Sequence, residues 1–295
     1  NISHGIWIAI LLILTGILVR SICSTPSKEA KSTVQKHWVA QLVTFIRHHP
    51  VTTIVLAAYV TIMVQESSWF YKEILTWYDD IYADHLLNNF SFRESFIEET
   101  IGRNDFRFFP LSHQDLHALS WFTPYTKVWS LVSALELITT IVLGCKLVQI
   151  INKNKSNRSL LLMGSLLFLF TSASAYNYFQ FIYSERILTF LLALYMYQYC
   201  MYQHSGTSRN GRLALLFALF IPFFKDTAIV LAIVPAASTI ILGSIGKVEQ
   251  YPRWNSLKFS EWINAYALEI AICSIGPFFL TSYVFLSGVP SIYKD

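Results

Sequence analysis

The sequence predicts an all-α, polytopic helical membrane protein of about eight spans, with one long amphipathic external loop. Three observations lead there. Of the 295 residues, 54% are hydrophobic and only 14% are charged, and the mean hydropathy is +0.45. Several windows run without a charge for close to the roughly 20 residues that cross a hydrocarbon core. Those runs are continuous rather than alternating. In hydrocarbon only helices and closed barrels satisfy their own backbone groups, so the runs read as helices.

The first run, residues 6–19, is short for a span and crosses if residues 1–5 add a turn. A signal peptide is the other reading of this run, but no clear small-residue cleavage site follows it. Arg20, Lys28, Lys31, Lys36 and Arg47 then stand against a single Glu29, a basic excess that marks residues 20–50 as cytoplasmic. Within that stretch, 34–46 has the pattern of an amphipathic helix lying on the membrane surface. Residues 51–64 lead outward. The segment 65–127 is the only long polar one, with ten acidic residues against five basic, a net charge of −5. An acidic segment opposite basic ones belongs on the non-cytoplasmic side. Its many aromatic residues, among them Trp69, Trp77, Phe106, Phe108 and Trp121, favour the headgroup level, so it is expected to lie on the membrane as short amphipathic helices.

Residues 128–151 return inward to a turn marked by Lys153, Lys155 and Arg158. Residues 160–182 go out, Ser184-Glu185-Arg186 makes a tight outer turn, and 187–203 come back to a turn carrying Arg209 and Arg212. Two short runs, 213–224 and 228–242, flank Lys225-Asp226-Thr227. They read as a thin hairpin with its charges near the outer face, or else as one long kinked helix with the charges in mid-membrane. Lys247, Arg253 and Lys258 mark the next cytoplasmic turn, and 263–286 run outward as the last span. No internal repeat or separate soluble domain is visible, so residues 1–295 are expected to form a single transmembrane domain. The chain opens at Asn1 rather than Met and stops at Asp295 soon after a span, which suggests a piece of a longer protein.

The net charge of +4 sits in short inter-span loops, reads as topology, and argues against a nucleic-acid partner. Cys23, Cys145, Cys200 and Cys273 lie in or beside apolar stretches without paired or metal-ligand spacing, as buried free thiols would.

Charged groups that meet at one membrane boundary mark candidate chemistry, because an ionisable side chain at membrane depth costs a few kcal/mol unless paired or solvated. The acids of Trp77-Tyr78-Asp79-Asp80-Ile81-Tyr82-Ala83-Asp84 come first. On a helix Asp80 and Asp84 share a face, and a carboxylate against apolar walls can serve as a general base. The plainer reading is the solvated face of a surface helix. Arg186 and Lys225 have the chemistry to hold a phosphate, Arg as a fork and Lys as a point charge, against the competing readings of a structural pair with Glu185 and a snorkelling anchor. In Arg103-Asn104-Asp105-Phe106-Arg107, followed by Phe108-Phe109-Pro110, bases alternate with aromatics in a way that suits a sugar ring, a lipid phosphate, or a turn clamped on the bilayer. His113 and His117 have a metal-like i, i+4 spacing but no third ligand beyond Asp115, so no metal site is assigned there. A divalent cation on Asp79 and Asp80 is compatible with the sequence and not required by it.

Tyr78-Asp79-Asp80 in the large external loop, Arg107-Phe108-Phe109-Pro110 further along it, and Lys225-Asp226 between two late spans together resemble the integral-membrane glycosyltransferases of the GT-C class. The likeness is to bacterial members that modify cell-surface polysaccharide or O-antigen, and it covers roughly residues 50–243 by motif placement. It implies a transferase of the bacterial inner membrane that moves a sugar from a polyprenyl-phosphate donor to an acceptor on the periplasmic or lumenal face. It further implies that Asp79 or Asp80 is the catalytic base, and that Lys225 and Arg186 bind the donor phosphate. Asp84, Arg103, Arg107 and Asp226 complete the expected substrate site. The partners would be the lipid-linked donor, membrane lipids and further membrane subunits. Two other classes fit the composition: a transporter with Lys225-Asp226 lining its path, and a non-catalytic subunit whose aromatic loop is a docking surface.

Overall fold

The computed structural model describes residues 2–24, 40, 43–77, 106–112, 114–123, 125–152, 158–180, 183–248, 250–254 and 258–292. All regular structure among the described residues is helical. The principal helices are α1 (Ile2–Ser24), α2 (Pro50–Trp77), α3 (Gln114–Phe122), α4 (Thr126–Ile151), α5 (Arg158–Leu169), α6 (Ser172–Phe179), α7 (Glu185–Ser205), α8 (Ser208–Phe224), α9 (Ile229–Ser244), α10 (Phe259–Ala265), α11 (Ala267–Tyr283) and α12 (Val289–Ile292). A π-helical turn, Val284–Gly288, carries α11 into α12.

Five stretches of described helix are long and apolar enough to cross a membrane: Gly5–Ile22, Pro50–Ser67, Thr126–Ile151, Asp226–Ser244 and Ala267–Ile292. The bent pair Ser159–Leu169 and Ser172–Phe179, which turns through 74°, passes the same test only when taken as one broken span, and is otherwise a re-entrant loop. The bend falls at Thr171, whose Oγ1 accepts the Ser174 N–H at 3.2 Å and caps the second half. Two of the expected spans fall short of the same standard. α7 carries four tyrosines and two glutamines, and α8 has 17 residues. The ends also differ from expectation. α1 begins and ends beyond the apolar run, and α2 continues to Trp77 through residues expected to open the external loop. Hydropathy marks where lipid stops, whereas a helix stops only where its backbone loses its partners.

Long-range contacts fix the direction of each helix. Lys225, at the end of α8, pairs with Glu185 at the start of α7. Further along α7, Tyr195 Oη donates to the Ala232 carbonyl at 2.9 Å and Tyr199 Oη to Thr239 Oγ1 at 2.8 Å. α7 and α9 therefore run in the same direction and α8 runs against both. Of the two readings of residues 213–242, the hairpin is the one observed. Lys225 itself is extended, at φ −157° and ψ 123°, and Asp226–Ala228 form a single 3₁₀ turn before α9 begins. α1 lies antiparallel to α8. Its Trp7 meets Phe108 and Phe223 edge-on at 5.5 Å between centroids, and Ser21 accepts from Arg212 at 2.6 Å. α4 is antiparallel to the α5–α6 pair, with Ser133 Oγ on the Tyr178 carbonyl at 3.0 Å and Cys145 near the Leu160 carbonyl.

Two packed cores result among the described residues. One joins α1, α7, α8, α9 and α11, and the other joins α2, α4, α5 and α6. Lipid tails are as apolar as leucine, so close packing and hydrogen bonds hold such helices together more than the hydrophobic effect does. Ala214, Ala218, Ala232 and Ala236 are fully buried at the first core and let α8 and α9 approach their neighbours closely. The α7–α8 turn closes on Gly206, whose φ of +66° suits glycine and whose N–H returns to the Tyr202 carbonyl at 2.8 Å.

Candidate functional site

One end of the bundle brings charged residues together from distant parts of the chain. It is built around the corner between α8 and α9. The segment 106–112 reaches this corner from the large loop, and the Leu111 N–H donates to the Phe223 carbonyl at 2.9 Å. Phe108 inserts beneath it, 2% exposed, against Trp7, Phe223 and Phe279. The end of α11, the π-helical turn and α12 hold the other side. Ser287 Oγ donates to the Arg107 carbonyl at 2.8 Å, Tyr283 Oη to the Phe106 carbonyl at 3.2 Å, and the Phe106 N–H donates to Ser291 Oγ at 3.1 Å. These bonds hold Phe106 at φ +60°, a conformation uncommon outside glycine. The aromatic residues of the Arg-Phe-Phe-Pro segment are thus partly an anchor: Phe108 and Pro110 are buried, while Arg107 is exposed with its guanidinium 5.1 Å from the centre of the Phe109 ring.

Glu185 and Arg186 are neighbours in sequence but point about 100° apart at the start of a helix. Glu185 turns toward α8 and takes Lys225, each of the two side chains being 35% exposed. Arg186 turns the other way and is buried, at 2% exposure, between Asp115 of α3 and Glu136 of α4. Each carboxylate receives one arm of its guanidinium fork. This triad ties the loop helix α3 to both cores at once. Both arms of the Arg186 fork are taken by carboxylates. Lys225, half-exposed with a single carboxylate partner, is more open to a ligand. Asp226 Oδ1 accepts the Thr227 N–H at 2.8 Å, a local bond that steadies the corner.

Of the residues singled out in the sequence, Arg107, Arg186, Lys225 and Asp226 therefore lie at one end of the bundle. Asp79, Asp80, Asp84, Arg103 and His113 lie outside the described residues. Among the described residues no group of three or more His, Cys, Asp or Glu is arranged to hold a metal ion.

The sequence alone does not single out Glu136 or Glu269, and the pair of Arg186 with Glu185 that it offers as a competing reading gives way to pairs of Glu185 with Lys225 and of Arg186 with Asp115 and Glu136. The signal for the first two was present: each is a lone acid inside a long apolar run, and such residues mark sites or buried pairs. Partner choice was not readable, because Arg186 meets carboxylates 71 and 50 residues away.

No family model, curated protein or solved structure matches the chain.

Proposed function

We propose that the protein is a membrane glycosyltransferase-like enzyme that transfers a sugar from a polyprenyl-phosphate donor to an acceptor. The work is done at the Lys225 end of the bundle, facing the periplasm or lumen, in a chain that crosses the membrane about eight times. The observation that carries this reading is the backbone bond between Leu111 and Phe223. It brings the loop segment holding Arg107 to the helix break holding Lys225. A lipid-linked donor fits such a place, since its prenyl tail stays in the bilayer while its phosphate reaches Lys225 and Arg107 at the corner.

In this reading an acid of the preceding loop, Asp79 or Asp80, takes the proton from the acceptor hydroxyl. The acceptor oxygen forms the new bond to the anomeric carbon as the carbon–oxygen bond to the polyprenyl phosphate breaks. The phosphate leaves with the electron pair, and Lys225 and Arg107 stabilise its charge. Arg186, with both arms engaged, positions α3 and the loop and does not touch the donor. The bacterial inner membrane belongs to this proposal as the resemblance implies it, and a divalent ion on Asp79 and Asp80 is compatible with it without being required.

The test is sugar transfer in membranes supplied with a radiolabelled polyprenyl-phosphate sugar. Asp79→Asn or Asp80→Asn is expected to abolish transfer at normal expression and insertion, and Lys225→Ala to raise the KM for donor. Full transfer by both aspartate variants would remove the base from this loop.

A further inference from the structure

The opposite end of the bundle holds a buried carboxylate that the proposed transfer does not use. Glu269, in the first turn of α11, is fully buried. Three neutral groups converge on its Oε1: Tyr199 Oη at 3.2 Å, Gln203 Nε2 at 2.8 Å and Tyr251 Oη at 2.6 Å. They come from α7 and from the connection after α9. Each phenol has one hydrogen and a second acceptor in reach, Thr239 Oγ1 of α9 at 2.8 Å from Tyr199 Oη and Gln203 Oε1 at 2.9 Å from Tyr251 Oη. The other oxygen, Oε2, is buried with no hydrogen-bond partner, and no lysine, arginine or histidine pairs with Glu269 among the described residues.

That arrangement is unbalanced in a specific way. An ionised carboxylate accepts at both oxygens, and burying it without a counter-charge costs several kcal/mol. Here polar groups crowd one oxygen and the other is bare. The groups around it are hydroxyls and an amide, each able to turn an oxygen lone pair instead of a hydrogen toward an incoming charge. Burial, followed by the nearby Glu269 carboxylate, holds the Tyr251 phenol above its ordinary range, so it remains a neutral hydroxyl. Oxygen donors without nitrogen or sulfur select hard cations. A single carboxylate is neutralised by a single positive charge, whereas a divalent ion would leave the interior charged.

We propose that Glu269, together with Tyr199, Gln203 and Tyr251, binds one monovalent alkali cation, sodium or potassium. The ion binds both carboxylate oxygens, filling the bare Oε2, and the groups around Oε1 turn to it, which ties α7, α11 and the connection after α9 together. This site is independent of the transfer chemistry at the Lys225 end.

The test is the thermal midpoint of the purified full chain in nanodiscs, with sodium or potassium chloride compared against choline chloride at the same ionic strength. A midpoint that rises with the alkali ion and saturates, and that loses this dependence in Glu269→Gln, is the expected result, because only the stabilised native state binds. Gln keeps the shape of the side chain and removes the charge. Should that variant fail to fold, Tyr251→Phe carries the test, with a weaker apparent ion affinity expected. Equal midpoints in all three salts would overturn the proposal, as would an ion dependence undiminished in Glu269→Gln or Tyr251→Phe. A midpoint that responds to acidification alone would make the occupant a proton and overturn it equally.

Discussion

Arg186 and Lys225 show how two cations of the same sequence-level promise separate once their surroundings are known. Both border apolar runs, and both suit a phosphate. Arg186 is enclosed by two carboxylates at 2% exposure, while Lys225 shares one carboxylate at 35%. Removing one member of a buried ionic group strands the others, at about 3–5 kcal/mol. Breaking a half-exposed pair costs at most about 1 kcal/mol. Arg186→Met is therefore expected to lower unfolding stability severely, by leaving Asp115 and Glu136 without their cation. Lys225→Ala should leave stability nearly unchanged, and denaturant unfolding of both variants in detergent checks the contrast. The cations were legible as residues of interest because charge is scarce in this chain. Their roles were not, because a role depends on which carboxylate the fold delivers.

Among the helices, the close approach of α9 to the start of α11 depends on a missing side chain. A Cβ on Gly243 would stand 2.3 Å from Tyr266 Oη and 2.9 Å from Tyr251 Cβ. Tyr266 cannot simply move aside, since its hydroxyl donates to the Pro252 carbonyl at 3.0 Å and its ring stacks on Tyr251 at 4.8 Å. Gly243→Ala is expected to destabilise by about 1–3 kcal/mol, the range for forcing extra volume into a packed site. Thermal unfolding measures it. If the Glu269 site works as proposed, the same substitution also weakens the alkali-ion dependence, because Tyr251 is displaced. Helix existence was readable along most of the chain, since long apolar runs admit little else. The bend at Thr171 and the continuation of α2 to Trp77 were not, because both are decided by backbone capping and not by hydropathy. The hairpin at Lys225-Asp226 was readable as one of two arrangements, and the contacts of α7 with α9 decide between them.

At the scale of the whole molecule, polar chemistry divides between two ends of an apolar bundle. Arg107, Asp115, Glu136, Glu185, Arg186, Lys225 and Asp226 occupy one, and Glu269 with its tyrosines and glutamine occupies the other. The alternation of acidic and basic segments already separated these ends in the sequence, because topology follows loop charge. The meeting of the loop with the α8–α9 corner was an expectation from motif placement, and the Leu111–Phe223 bond gives it a physical basis for residues 106–112. On the function proposed above, this corner receives a lipid phosphate within reach of the loop acids. The most direct measurement is an experimental structure of the full chain in nanodiscs containing polyprenyl phosphate. The expected result is phosphate density within hydrogen-bond distance of Lys225 Nζ, on the same face as Asp79 and Asp80. Phosphate density at the Glu269 end, or Asp79 and Asp80 on the opposite leaflet from Lys225, would contradict it.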